Sequence, residues 1–175
     1  GFDNKNIIVC DCKLNTACNA FRMGGTNIFI HHCEISAPPT YLFRGAMTAE
    51  EKRGNIMAND AAFAKDFSRA NTLSLFTYYA DPSVIIKNLA TNIVIRDCKV
   101  SGTQRFLHFN YSGNEPWQNN KPLLDIKFEN IVATDIEMPL TAYGDKENPF
   151  ELTLSNVEFS FKKGFEQNPF MHVAN

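Results

Sequence analysis

Three stretches of the chain share one grammar, and that grammar limits the fold more than any other property of the sequence. NIIVCDCKL from Asn6, NIFIHHCEI from Asn27 and NIVIRDCKV from Asn92 each begin with Asn, place apolar residues at +1 and +3, Cys at +6 and another apolar residue at +8. A recurrence of this kind means that one structural unit stacks on its copies, because a single unit cannot bury its own apolar face. The inward positions read Ile7, Val9, Cys12, Leu14, then Ile28, Ile30, Cys33, Ile35, then Ile93, Ile95, Cys98, Val100. Steps of two describe a strand with one buried face, and the single step of three requires a corner that restores the phase for a second short strand. Ile126, Phe128, Ile131, Ala133 and Leu152, Leu154, Val157, Phe159 keep the same rhythm, which makes five coils, and Leu73, Leu75, Tyr78, Ala80 form a candidate sixth.

The corner residues agree with the apolar pattern. Asp11, His32, Asp97, Asn130 and Asn156 stand at the bend, and all are types that tolerate the left-handed backbone a sharp corner needs. Each coil continues into a later strand, at 19–22, 41–44, 105–109 and 139–143, so these strands are expected to stack as a parallel sheet with one continuous outer face. Residues 46–71 break the repeat and are expected to form an inserted lid or flank of short helices, the first opening with Thr48 and Glu51 in capping-box spacing. The spacing therefore predicts an all-β fold, a right-handed parallel β-helix of about five to seven coils, as one domain over 1–175.

Composition narrows the function classes. At 175 residues and 44% hydrophobic, the chain has the apolar material for a continuous core. Its formal charge of −2 lacks the basic excess of a nucleic-acid binder, and no apolar run approaches the ~20 residues of a membrane span. The chain opens at Gly1-Phe2-Asp3 without a signal-like segment, so it reads as a mature or truncated product. Cys10 and Cys12 lack a second Cys or His pair at ligand spacing, and the adjacent His31 and His32 tend to diverge, so neither a metal nor another cofactor is expected. Cys12, Cys33 and Cys98 occupy equivalent positions and are expected to stack as small hydrophobes, a geometry poorly suited to a disulfide.

The Asn-Ile-x-Ile-x-Asp/Asn-Cys coils, each followed by a small-residue turn and a short strand, resemble the family 28 glycoside hydrolases, the polygalacturonase family of pectin-degrading β-helices. The resemblance is sharpest from Cys12 to Gly24, where Cys18, Ala20, Arg22 and Gly24 look like the family's Asp-Asp-Cys-x-Ala-x-Lys-x-Gly stretch. It implies a secreted or periplasmic protein that acts on or binds an acidic, pectin-like polysaccharide. On that alignment the paired acids fall on Thr16 and Ala17, which can neither protonate a leaving group nor activate water. The window from Ala37 to Gly45 holds no His for the family's Gly-His-Gly, so the resemblance speaks for scaffold and ligand class rather than for hydrolysis. The alternative is a non-catalytic carbohydrate-binding or surface-structural solenoid, with a polysaccharide lyase third.

Candidate substrate-binding residues are Arg22, Arg44, His108, Tyr79, Glu115 and Trp117. Arg22 and Arg44 are about one coil apart and are expected to stand above each other, needing carboxylates from the protein or from an acidic sugar. His108 occupies a comparable position in its own coil. Tyr79 and Trp117 offer ring faces for sugars, although Trp117 beside Pro116 equally suits a loop anchor. Asp60, Asp81, Glu115 and Asp145 are the acids outside the repeat, and no catalytic residue is assigned.

Overall fold

A computed structural model describes residues 4–16, 20–36, 76–78, 90–110, 123–143 and 149–174. Every regular element among them is a strand: β1 (Lys5–Cys10), β2 (Lys13–Asn15), β3 (Phe21–Met23), β4 (Thr26–His31), β5 (Glu34–Ser36), β6 (Phe76–Tyr78), β7 (Thr91–Asn110), β8 (Asp125–Tyr143), β9 (Glu151–Phe161) and β10 (Met171–Ala174). The pairings are all parallel and join the ten strands into one curled sheet.

The register resolves that sheet into three ladders. In the first, Ile7, Ile28, Ile93, Ile126 and Leu152 pair in succession, and Val9, Ile30, Ile95, Phe128 and Leu154 do so two residues later. Leu14, Ile35, Val100, Ala133 and Phe159 define the second. Phe21, Phe76, Leu107, Leu140 and Met171 define the third. The five apolar quartets thus align rung on rung. Ile93, Ile95 and Phe128 are fully buried, while Ile7 on the first rung is 39% exposed because it has a neighbouring rung on one side only. Phe106 seals the interior, its ring 4.8 Å from Phe128 and 5.0 Å from Phe159.

The corners take the conformation their residue types suggest. Asp11, His32, Asp97, Asn130 and Asn156 all have φ between 52° and 55°. A second series, Asn6, Asn27 and Asn92, is left-handed as well, with φ of 53–57°. A carboxamide both donates and accepts, so Asn residues repeated at the strand spacing can chain together. Asn27 Nδ2 donates to Asn6 Oδ1 at 2.9 Å and Asn92 Nδ2 to Asn27 Oδ1 at 2.8 Å. Asp125 ends this series by accepting from the Asn92 N–H at 2.8 Å and from the Thr91 hydroxyl. At the other corner Asn130 Nδ2 donates to Asp97 Oδ1 and Asn156 Nδ2 to Asn130 Oδ1, both at 2.9 Å.

Cys33 and Cys98 are buried, and Cys10, Cys12, Cys33 and Cys98 are all free thiols. Cys12, Cys33 and Cys98 each donate to the carbonyl two residues back, at 3.1, 3.3 and 3.1 Å, so they close the corner as well as filling the core. Burial pushes the Cys98 thiol up to about 11.

One expectation needs correction. Tyr78, read as part of a sixth quartet, lies in β6 of the third ladder opposite Met23, because a three-residue strand carries too short an alternation to reveal which ladder it joins. Arg22 pairs with Thr77 in the register, and Arg44, expected to stand above Arg22, lies outside the described residues. The inserted segment 46–71, its helices and the strand at 41–44 lie outside the described residues.

Candidate functional site

The third ladder carries the sequence-derived site residues that the structure describes. Arg22 pairs with Thr77, Thr77 with His108, His108 with Thr141 and Thr141 with His172, so five positions form one row across β3, β6, β7, β8 and β10. The row falls between the Phe21–Leu107–Leu140 row and the row that starts at Met23; Met23, Leu107 and Leu140 are all core. Arg22 and His108 share this row two rungs apart. Arg44, Tyr79, Glu115 and Trp117, and the acids Asp60, Asp81 and Asp145, lie outside the described residues.

The outer surface of the first ladder bears a groove of about 460 Å³ lined by Asn6, Ile8, Asn27, Phe29, Val94 and Arg96 among others. The Phe29 ring in its lining is already engaged, because the Arg96 guanidinium sits 4.9 Å from its centroid and the His31 ring 4.5 Å away. His31 Nδ1 and His32 Nδ1 share a hydrogen bond at 2.8 Å, and Asp97 lies 3.3 Å from Arg96 Nε and 3.9 Å from His32 Nε2. The Cys10 thiol, next to His31 in the register, has its pKa raised, chiefly by its hydrogen bond to Asp11, so it is held in the unreactive form.

A second groove, of about 340 Å³, follows the outer face of the second ladder, where Ser36, Ser101 and Thr134 form a hydroxyl row. Its charges are partly paired internally, as in the exposed Lys13–Glu34 bridge at 3.0 Å. Among the described residues no group of three His, Cys, Asp or Glu side chains is placed to hold a metal ion, and no helix is long and apolar enough to cross a membrane. Glu137, a half-buried acid, is committed to Lys162 at 2.9 Å.

No family model, curated protein or solved structure matches the chain. The sequence pattern had marked Arg22 and His108 but not Thr77, Thr141 or His172. The one signal for His172 is its place between Met171 and Val173, a three-residue alternation far from any corner motif.

Proposed function

We propose that the chain is a stretch of right-handed parallel β-helix, of the kind the polygalacturonase family uses, and that it binds an acidic polysaccharide along the outer face of the third ladder, outside the cytoplasm. The observation that carries this reading is the uninterrupted register of that ladder. Five parallel rungs at the ~4.8 Å strand spacing form a straight, regular face about 19 Å long, suited to an extended chain rather than to a compact small molecule. Arg22 and His108 hold register positions on that ladder, and Arg is the residue type best fitted to planar anion recognition.

Binding is favoured over hydrolysis because Thr16 and Ala17 occupy the positions that the family resemblance assigns to acids. Thr16 also has a structural task, its backbone N–H donating to the Ser36 carbonyl at 3.0 Å as β2 ends. Calorimetric titration of oligogalacturonate against the parent and Arg22→Ala tests the reading. The expected result is saturable, salt-weakened binding, a loss of about 1–3 kcal/mol in the variant and no release of reducing ends. Equal affinity in parent and variant would remove the site, and robust turnover would restore the enzymatic reading.

A further inference from the structure

The two outermost passes of the stack carry opposite charge on their open sides. Among the described residues β1 and β2 pair on one side only, and so does β9 at the opposite end of the stack. Each end therefore presents a row of backbone N–H and C=O groups together with a half-covered apolar quartet. Ile7 is 39% exposed, whereas Ile28 and Ile93 in the same row fall to 6% and 0%. At the other end Leu152, Leu154, Val157 and Phe159 are only partly buried. β1 and β2 contain Lys5 and Lys13 and no acid, while β9 contains Glu151 and Glu158 and no basic residue.

We propose that the chain associates end to end with further copies of itself, β9 of one copy pairing in parallel with β1 and β2 of the next. Placed one strand spacing, ~4.8 Å, beyond β9, the incoming pass continues every row of the first two ladders. Its Ile7, Val9, Cys12 and Leu14 cover Leu152, Leu154, Val157 and Phe159, the quartet-on-quartet match that buries the interior. The row Lys13, Glu34, Lys99, Val132, Glu158 is then followed by the incoming Lys13, so Glu158 gains the kind of partner that Glu34 has at 3.0 Å within one copy. An ammonium has three donors and can serve both carboxylates. At the first corner Asn6 accepts from Asn27 through Oδ1, which turns its Nδ2 toward the seam, where Glu151 holds the same row as Asp125 and offers a carboxylate. The other corner adds nothing, since Asp11 has no side-chain donor for Asn156 Oδ1. Pairing like ends would set lysine edge on lysine edge or glutamate edge on glutamate edge. Charge thus selects the head-to-tail polarity, and apolar cover with backbone pairing supplies the affinity. A heterologous contact of this kind leaves an open end after each addition. It rests on the register alone and not on the glycan-binding reading.

Sedimentation velocity of the full chain and of two variants tests the seam. The parent is expected to show a weight-average mass that rises with concentration and passes the dimer. Lys13→Glu sets carboxylate against carboxylate across the seam and Glu158→Lys sets ammonium against ammonium, so each variant alone is expected to associate roughly tenfold more weakly. Mixed in equal amounts, the two variants again present unlike ends to each other, and association like that of the parent is expected to return. Thermal melts confirm that each variant is folded. Glu158→Lys breaks no ion pair among the described residues, so its weaker association decides the matter alone if Lys13→Glu, which also loses Glu34, unfolds. A parent that stays monomeric, or that stops at a dimer, overturns the seam. So do folded variants that associate as well as the parent, or a mixture of folded variants that associates no better than its components.

Discussion

Asn130 performs two tasks that can be separated by substitution. It holds φ at 52° and it occupies the middle of a carboxamide chain, donating to Asp97 and accepting from Asn156. Asn130→Ala loses both bonds and meets the left-handed penalty, so a destabilisation of about 2–4 kcal/mol is expected in urea unfolding. Asn130→Gly relieves the backbone term and should cost roughly half as much; equal losses would mean that the left-handed backbone contributes nothing, and a Gly variant as stable as the parent would mean the same of the chain of amides. Cys98 gives a residue-scale pH dependence. Its folded pKa of about 11 lies above that of an exposed thiol, so the folded state keeps the proton that the unfolded state releases first. Its contribution is full below about pH 8.5, the ordinary thiol value, and is lost as pH rises toward 11. Urea midpoints at pH 7, 9 and 11 should therefore fall, and a Cys98→Ala background should flatten the trend.

At the scale of the element, the turn from β3 to β4 is the tightest point described. Gly25 has φ of 107°, and a Cβ there would lie 2.2 Å from the Asn4 carbonyl oxygen, which accepts from Thr26 N–H at 2.9 Å. Gly25→Ala must push two passes of chain apart and is expected to cost more than about 2 kcal/mol. Gly164 shares the positive φ, at 90°, but faces open space, so Gly164→Ala should cost only the conformational term of about 1 kcal/mol. Similar melting shifts for the two would contradict the close approach.

The strands of the first two ladders were legible in the sequence because each carries two inward residues on either side of a corner, four constraints in nine positions. Asp11, His32, Asp97, Asn130 and Asn156 added the left-handed corner independently. The second left-handed series at Asn6, Asn27 and Asn92 was visible as the first letter of the repeat, but the hydrogen bonds that explain it depend on neighbouring passes. The third ladder was harder to read. Its three-residue β3 and β6 have no corner grammar, and variable loops hide which residues meet, so the pairing of Arg22 with Thr77, 55 positions along the chain (77 minus 22), has no signal in the sequence. The same blindness concealed that Thr141 and His172 share a register row with His108.

For the whole molecule, the account depends on five passes lying one strand spacing apart in every ladder at once. Lys13 and Glu158 sit on the first and fifth rungs of the second ladder, connected through Glu34, Lys99 and Val132. Ile8 and Thr153 hold the equivalent places on the first ladder, connected through Phe29, Val94 and Lys127. Both pairs span four spacings, about 19 Å between backbones. Pulsed electron resonance between spin labels introduced through non-natural amino acids at Lys13/Glu158 and at Ile8/Thr153 measures these separations directly. The stacked register predicts two narrow distributions with the same centre, near 19 Å after allowance for the label arms; broad distributions, or centres that differ by more than two strand spacings, would contradict it.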